Sequence, residues 1–202
     1  MIAGQFSVDD KWVSISMLAW YALSNEAFMK RITVMAIVFL VALSSHELSA
    51  QTPIPAGASF DLGFSPGGTS LKVVLTAISS AKSTLLVACY EFTSRDIAAA
   101  LEAAAHRGIK IRIVADFKAA HDRYSQISIL KAAGISVRLN AHYAIFHHKF
   151  MVIDSVSVET GSFNYTTAAI EHNAENALVL WNVQPMATRY TTEFERLWAE
   201  SQ

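Results

Sequence analysis

Cysteine is all but absent from this chain. Of 202 residues only Cys89 is one, so no disulfide closes within a single chain and no cysteine-based zinc site assembles there. Cys89 stands in the apolar run Leu85-Leu86-Val87-Ala88-Cys89-Tyr90, where a small buried hydrophobe is its expected role. Charge is scarce as well. Charged residues make up 16% of the chain and the formal net charge is −1, which excludes a disordered polyelectrolyte. From Gln51 onward 13 basic residues balance 13 acidic ones, so no basic domain of the kind nucleic-acid binders carry lies behind the N-terminus. Any affinity for phosphate must be local. There is no helix-turn-helix, zinc finger or basic helix to read bases, and no internal repeat. Asp116 ends a strand pattern with no second carboxylate spaced to join it, which argues for a cap or turn and against a metal ligand.

What is present begins with an address. Lys30-Arg31 precedes the apolar run Ile32–Leu43, and Ser44-Ser45-His46-Glu47-Leu48-Ser49-Ala50 follows. A positive pair, a short apolar core and small residues have the layout of a secretory signal. The run is shorter than the ~20 residues that span a bilayer. Residues 29–50 are therefore expected to form a signal peptide or signal anchor, cleaved after Ser44 or Ala50. Residues 1–28 carry no clear pattern beyond the apolar patch 17–23, and Met29 is the expected true start. Residues 56–202, beyond the Pro53-Ile54-Pro55 linker, are the expected catalytic domain.

That body alternates between two periods. Strands are expected at Thr84–Tyr90, Ile109–Asp116, Ile135–Leu139, Phe146–Ile153, Ser155–Thr160 and Asn176–Trp181. Helices are expected at Ser70–Ala81, Asp96–Arg107, Tyr124–Ala133, Tyr165–Glu171 and Met186–Ala199, with Gly108 and Gly134 as stops. Alternation of this kind gives an α/β domain, one per chain, with a mixed sheet sandwiched between helices.

The chemistry concentrates between Phe146 and Asn164. On an extended strand, residues two apart share a face, so His147 and Lys149 project together. Beyond Lys149 the strand is apolar on both faces, which makes it a central strand whose polar end opens into a cleft. A buried lysine beside a histidine is costly unless an anion compensates. Ser162 and Asn164 again share parity, and Gly161 permits close backbone approach. Hydroxyl and amide groups can both donate to phosphate oxygens.

These residues spell H-x-K-x4-D-x6-G-S-x-N through His147, Lys149, Asp154, Gly161, Ser162 and Asn164. Six fixed positions match by chance with a probability on the order of 10⁻⁸ per starting residue, so the motif is specific. It resembles the signature of the phospholipase D superfamily, most closely the small exported bacterial Nuc-type endonucleases that carry one motif and use no metal. The likeness runs over residues ~57–200 and includes Tyr90-Glu91-Phe92-Thr93 and Ala174-Glu175-Asn176.

The resemblance implies that His147 is the nucleophile or, in the other subunit, the general acid. Lys149 and Asn164 would hold the non-bridging phosphate oxygens with help from Ser162, and Glu175 would hydrogen-bond and orient the histidine. Asp154 would be structural. The chemistry needs a nucleophile, a cationic clamp and a proton donor, and one imidazole cannot serve both sides of the phosphorus at once. With one motif per chain, a homodimer sharing its active site is expected. The expected function is metal-independent, cofactor-free cleavage of DNA, with RNA as a further substrate, through a phosphohistidine in the periplasm or outside the cell. The alternative is a phospholipase D or cardiolipin hydrolase, and membrane partners follow only if the N-terminal segment is retained.

Among the remaining residues, His148 is expected on the opposite face as a packed or hydrogen-bonded core histidine. His106, His121, His142 and His172 are expected on the surface or in loops, and Trp181 and Trp198 in the core.

Overall fold

The computed structural model describes residues 51–202 together with Trp20, Tyr21 and Lys30. The chain divides into two units, 1–51 and 52–202, and the second holds the elements described below. The expected extension (1–28) and signal segment (29–50) fall outside the described residues apart from those three. Among the described residues no helix is long and apolar enough to cross a membrane.

Thirteen elements follow in order: β1 (Ser59–Ser65), α1 (Thr69–Ser80), β2 (Thr84–Cys89), α2 (Arg95–His106), β3 (Lys110–Asp116), α3 (Phe117–Ala120), α4 (Ile127–Ala132), β4 (Ser136–Asn140), β5 (Lys149–Ile153), β6 (Ser157–Gly161), α5 (Thr167–Glu171), β7 (Glu175–Trp181) and α6 (Gln184–Glu200). They build the expected α/β fold. One seven-stranded sheet has the order β1-β7-β6-β5-β2-β3-β4. β2, β3 and β4 run parallel, while β5, β6, β7 and β1 join antiparallel, so the sheet is mixed.

β5 is the middle strand, and all five of its residues are buried. That is the consequence of its apolar residues on both faces. One face of the sheet packs Val87, Ile113, Met151, Ala177 and Val179 against Val74, Ile78, Ile97 and Leu101 of α1 and α2. The other packs Leu86, Val114, Phe150, Val152 and Val158 against Ala187, Phe194 and Leu197 of α6. α6 is also tied down by Arg112, which pairs with Glu195 and lies over the rings of Phe194 and Trp198.

Local chemistry sets the boundaries. Ser94 caps α2 by accepting from the Ile97 amide at 3.3 Å, with Asp96 in the first turn, where the helix dipole favours an acid. Between β5 and β6, Asp154 and Ser155 both take positive φ, 51° and 60°, as a tight hairpin turn of the I′ kind requires. The expected strand Ser155–Thr160 therefore begins two residues later, because Ser155 belongs to the turn.

Several expectations need correction. β5 begins at Lys149 and not at Phe146, whose amide donates to the Asp116 side chain, and α5 begins at Thr167 because Tyr165 is held in a bridge to Phe92. The helix expected at Tyr124–Ala133 is shorter, Ile127–Ala132, because the Ser125 and Asp122 side chains hold the preceding segment in turns by accepting from the amides of Ile127 and Tyr124. β1 was not anticipated at all. Its residues alternate, but Phe60, Leu62 and Phe64 are exposed while Gly63 and Ser65 face inward. The start of α1 lies directly over Gly63, leaving no room for a side chain. The tryptophans are not fully buried either: Trp181 donates to Asp61 at 2.9 Å, and Trp198 lies half-buried beside Arg138.

Candidate active site

The site forms where β2, β3 and β6 end and β5 and β7 begin. Lys149 opens β5 opposite Cys89 of β2 and is 8% exposed. Its Nζ donates to the carbonyl oxygen of His147 at 3.0 Å and lies 5.4 Å from the centre of the Tyr90 ring. The His147 ring meets the same tyrosine at 4.9 Å and is exposed to solvent. Tyr90 thus borders both groups, although His147 lies before β5 and not on it.

Burial lowers the pKa of Lys149 from its ordinary value, with Glu175, Glu91 and Cys89 acting in the opposite sense. Among the described residues no carboxylate lies within 4 Å of its ammonium group to form an ion pair. A cation withdrawn from water without a counter-ion is an anion site in electrostatic terms. Cys89, fully buried beside it, has its thiol pushed up to about 12 by burial. It is an inert packing group at neutral pH, as its apolar setting implied.

The loop after β6 brings in the other polar groups. A side chain at Gly161 would collide with the Asn176 carbonyl of the neighbouring strand, so close approach of backbone, and no unusual φ, demands glycine here. Ser162 is exposed, and its Oγ accepts from the Asn176 amide and side chain at 3.1 and 3.3 Å. Asn164 is half-buried, and its side-chain oxygen has no partner among the described residues.

Glu175 opens β7, half-buried. Its carboxylate accepts from Asn173 at 3.2 Å. No hydrogen bond joins it to His147 among the described residues, so the orienting bond implied by the resemblance is not made in this structure. Asp154 lies at the opposite end of β5. Its two oxygens accept from the amides of Lys82, Ser83 and Thr84 and from the Ser83 hydroxyl at 2.8–2.9 Å. Partial burial would raise its pKa, but these bonds outweigh burial and lower it.

Asp116 has a second task that sequence reasoning missed. Besides capping α3 through the Ala119 amide at 2.8 Å, it accepts from the Phe146 amide at 2.9 Å. It thereby holds the chain one residue before His147. Only a strand-terminal aspartate with two free oxygens hinted at this. His148 also departs from expectation. It packs edge-on between Phe146 and Phe150, yet its side chain is 44% exposed and 3.9 Å from Glu193. Burial lowers its pKa, with Glu193 opposing. His106, His121, His142 and His172 are all exposed. Among the described residues no group of three or more His, Cys, Asp or Glu side chains is gathered closely enough to hold a metal ion.

This arrangement combines an exposed imidazole, a buried ammonium group with no ion-pair partner among the described residues, and amide and hydroxyl groups around one opening. It can bind a phosphate and attack it. A family model described as "Cardiolipin synthase, PLD-like domain" matches residues 74–198. The chain belongs to the phospholipase D superfamily.

Particular relatives sharpen the comparison. The chain is 34% identical over 148 residues to the mitochondrial cardiolipin hydrolase of Mus musculus, covering 73% of this chain and 66% of that protein. It is 33% identical over 127 residues to the phospholipase D of Rickettsia conorii, covering 63% of each chain. Against the first three curated relatives it spans 66, 56 and 54% of their lengths. The crystal structure of Nuc, a phospholipase D family member from Salmonella typhimurium, superposes with a TM-score of 0.70 at 37% identity, covering 72% of this chain and 97% of that one. NucT from Helicobacter pylori gives 0.66 at 27% identity, over 71% and 98%.

Proposed function

We propose that this chain hydrolyses a lipid phosphodiester of the cardiolipin kind, without a metal, through a phosphohistidine on His147. The observation that carries the chemistry is Lys149, buried and, among the described residues, without a carboxylate in ion-pair reach, beside an exposed imidazole. The lipid reading is supported by the names of the curated relatives, cardiolipin hydrolase and phospholipase D. It moves ahead of the nucleic-acid substrate expected from the sequence. The cleavage of DNA or RNA stands as the second reading, supported by the 37% identity to Salmonella Nuc over 97% of that chain and by the single motif.

In the first step an imidazole nitrogen of His147 attacks phosphorus, the P–O bond to the leaving group breaks, and a second imidazole protonates the departing oxygen. Lys149, Asn164 and Ser162 stabilise the charge on the non-bridging oxygens. In the second step that imidazole takes a proton from water, whose oxygen attacks phosphorus as the P–N bond breaks. The second imidazole is the His147 of another copy in a homodimer. Self-association is supported by the exposed Phe60, Leu62 and Phe64 of β1. They are ranged beside the half-buried Leu178 and Leu180 of β7, and Phe64 lies opposite Asn176, which bonds Ser162. Export of the mature domain follows from the segment at 29–50. N-terminal sequencing of protein from its native host should find a start near Ser45 or Gln51.

The deciding experiment offers cardiolipin vesicles, single- and double-stranded DNA, and RNA to the protein, each with excess EDTA. Cardiolipin hydrolysis undiminished by EDTA is the expected result. Cleavage of nucleic acid with cardiolipin untouched would replace the lipid reading by the second one. Loss of all activity in EDTA, restored by a divalent cation, would remove the metal-free mechanism.

A further inference from the structure

Behind the site, on the α1–α2 side of the sheet, lies a carboxylic acid for which the reaction has no use. Glu159, in the middle of β6, is fully buried, between Met151 of β5 and Val179 of β7. One of its oxygens accepts from the Tyr165 hydroxyl at 2.6 Å, and the other has no partner among the described residues. Burial raises its pKa to about 8, with the tyrosine bond opposing. As packing alone this is a poor choice. A leucine here with a phenylalanine at 165 would fill such a place without stranding a polar atom, and an unsatisfied buried oxygen costs stability.

The position of Tyr165 supplies the reason. It follows Asn164 directly, and it too is fully buried. Its backbone carbonyl accepts from the amides of Thr93 and Ser94 at 3.0 and 2.9 Å. Its ring packs edge-on against Phe92 at 5.7 Å, and the two residues form a bridge of parallel sense. Phe92, Thr93 and Ser94 continue the segment that starts with Tyr90, the ring bordering both His147 and Lys149. Tyr165 is therefore the rivet between the two loops that frame the site. One, Gly161–Tyr165, carries Ser162 and Asn164. The other, Tyr90–Ser94, carries the wall beside His147. Along the chain, the free end of the rivet is its hydroxyl, and Glu159 is the group that holds it, two residues before Gly161.

We infer that Glu159 is a positioning residue: by holding the Tyr165 hydroxyl it fixes the distance from Asn164 and Ser162 to the His147–Lys149 pair. Its role is that of a hydrogen-bond acceptor, not of an acid. A phosphate clamp displaced by about 1 Å loses on the order of 10²-fold in rate, which is why a stranded oxygen is tolerated behind it.

The inference rests on the phosphodiesterase reading, so the assay uses bis(p-nitrophenyl) phosphate, a phosphodiester that is neither lipid nor nucleic acid. If the wild-type chain does not hydrolyse it, the phosphodiesterase reading fails for this substrate class before any variant is compared. With an active wild type, Glu159→Gln keeps an acceptor for Tyr165 and should stay within about threefold of wild-type kcat. Glu159→Leu and Tyr165→Phe should each lose ten- to a hundredfold in kcat with KM changed less than threefold. Thermal denaturation should find Glu159→Leu folded but less stable than wild type, since the buried Tyr165 hydroxyl loses its acceptor. Tyr165→Phe keeps the ring and the backbone rivet, so it decides the matter if Glu159→Leu does not fold. Wild-type kcat in a folded Tyr165→Phe protein would overturn the inference. So would Glu159→Gln falling as far as Glu159→Leu, since the acid's proton would then be what matters.

Discussion

Gly161→Ala is the smallest change that should reach the chemistry without touching a reacting group. The methyl would stand 3.0 Å from the Asn176 carbonyl carbon and 3.1 Å from the Ala177 Cα, with the Asn176 oxygen closer still. Ordinary contact begins at about 3.4 Å, so β6 and β7 must part by about 1 Å at this point. Nothing flexible can give, because every atom met is backbone in the middle of a sheet. Overpacking of this kind costs roughly 1–3 kcal/mol, less than the total stability of an ordinary domain, so the variant should fold. The parting carries Ser162 away from Asn176, and Asn164 moves with it. A displacement of about 1 Å in the phosphate clamp corresponds to about a hundredfold in rate. Steady-state hydrolysis of bis(p-nitrophenyl) phosphate, with a melting curve on the same sample, measures both effects. A folded Gly161→Ala protein with wild-type kcat would refute the claim that β6–β7 contact sets the clamp.

Four further outcomes are expected. His147→Ala should lower kcat by several orders of magnitude, whereas Lys149→Ala should also weaken phosphate binding; rapid acid-free quench should trap a base-stable, acid-labile phosphoryl group on His147. In random mixtures of equal wild-type and His147→Ala chains, activity should fall to about a quarter if two copies share a site and to about half if each chain is complete; native mass measurement verifies the mixing. Stability should fall as pH rises from about 4.5 to about 8, because native Glu159 keeps a proton across the window bounded by its ordinary and raised pKa values, which the unfolded chain releases; Glu159→Gln should flatten that slope in pH-dependent denaturant titrations. Asp154 works in the opposite sense: its pKa is lowered on folding, so its contribution is complete above the unfolded value near 3.8 and is lost as pH falls through the folded one. Asp154→Ala should cost roughly 2 kcal/mol at pH 7 by freeing its donors to a partly exposed end of the sheet, measured as a lower denaturant midpoint.

The central strand was legible without coordinates. A run apolar on both faces has to lie inside a sheet, because that follows from burial alone. His147 and Lys149 do share a neighbour in Tyr90, but strand parity is not the reason, since β5 begins at Lys149 and His147 lies in the segment before it. The need for glycine at Gly161 could be stated, but not its reason, since the clash is with Asn176, a strand away. β1 was hidden because its apolar residues face outward while its inward positions are Gly63 and Ser65, so no apolar inner face marks it. Asp116 was read as a cap because its second bond, to Phe146, spans 30 residues. The acceptor role of Glu159 was invisible for the same reason in a subtler form. Sequence places it only in an alternating strand, and its burial and its tyrosine partner exist once β5, β6 and β7 are paired. Residue type and local period determine which groups can do chemistry and which strand carries them. Distances across strands, and the lone oxygens left where chains meet, are decided by packing between segments that no local pattern relates.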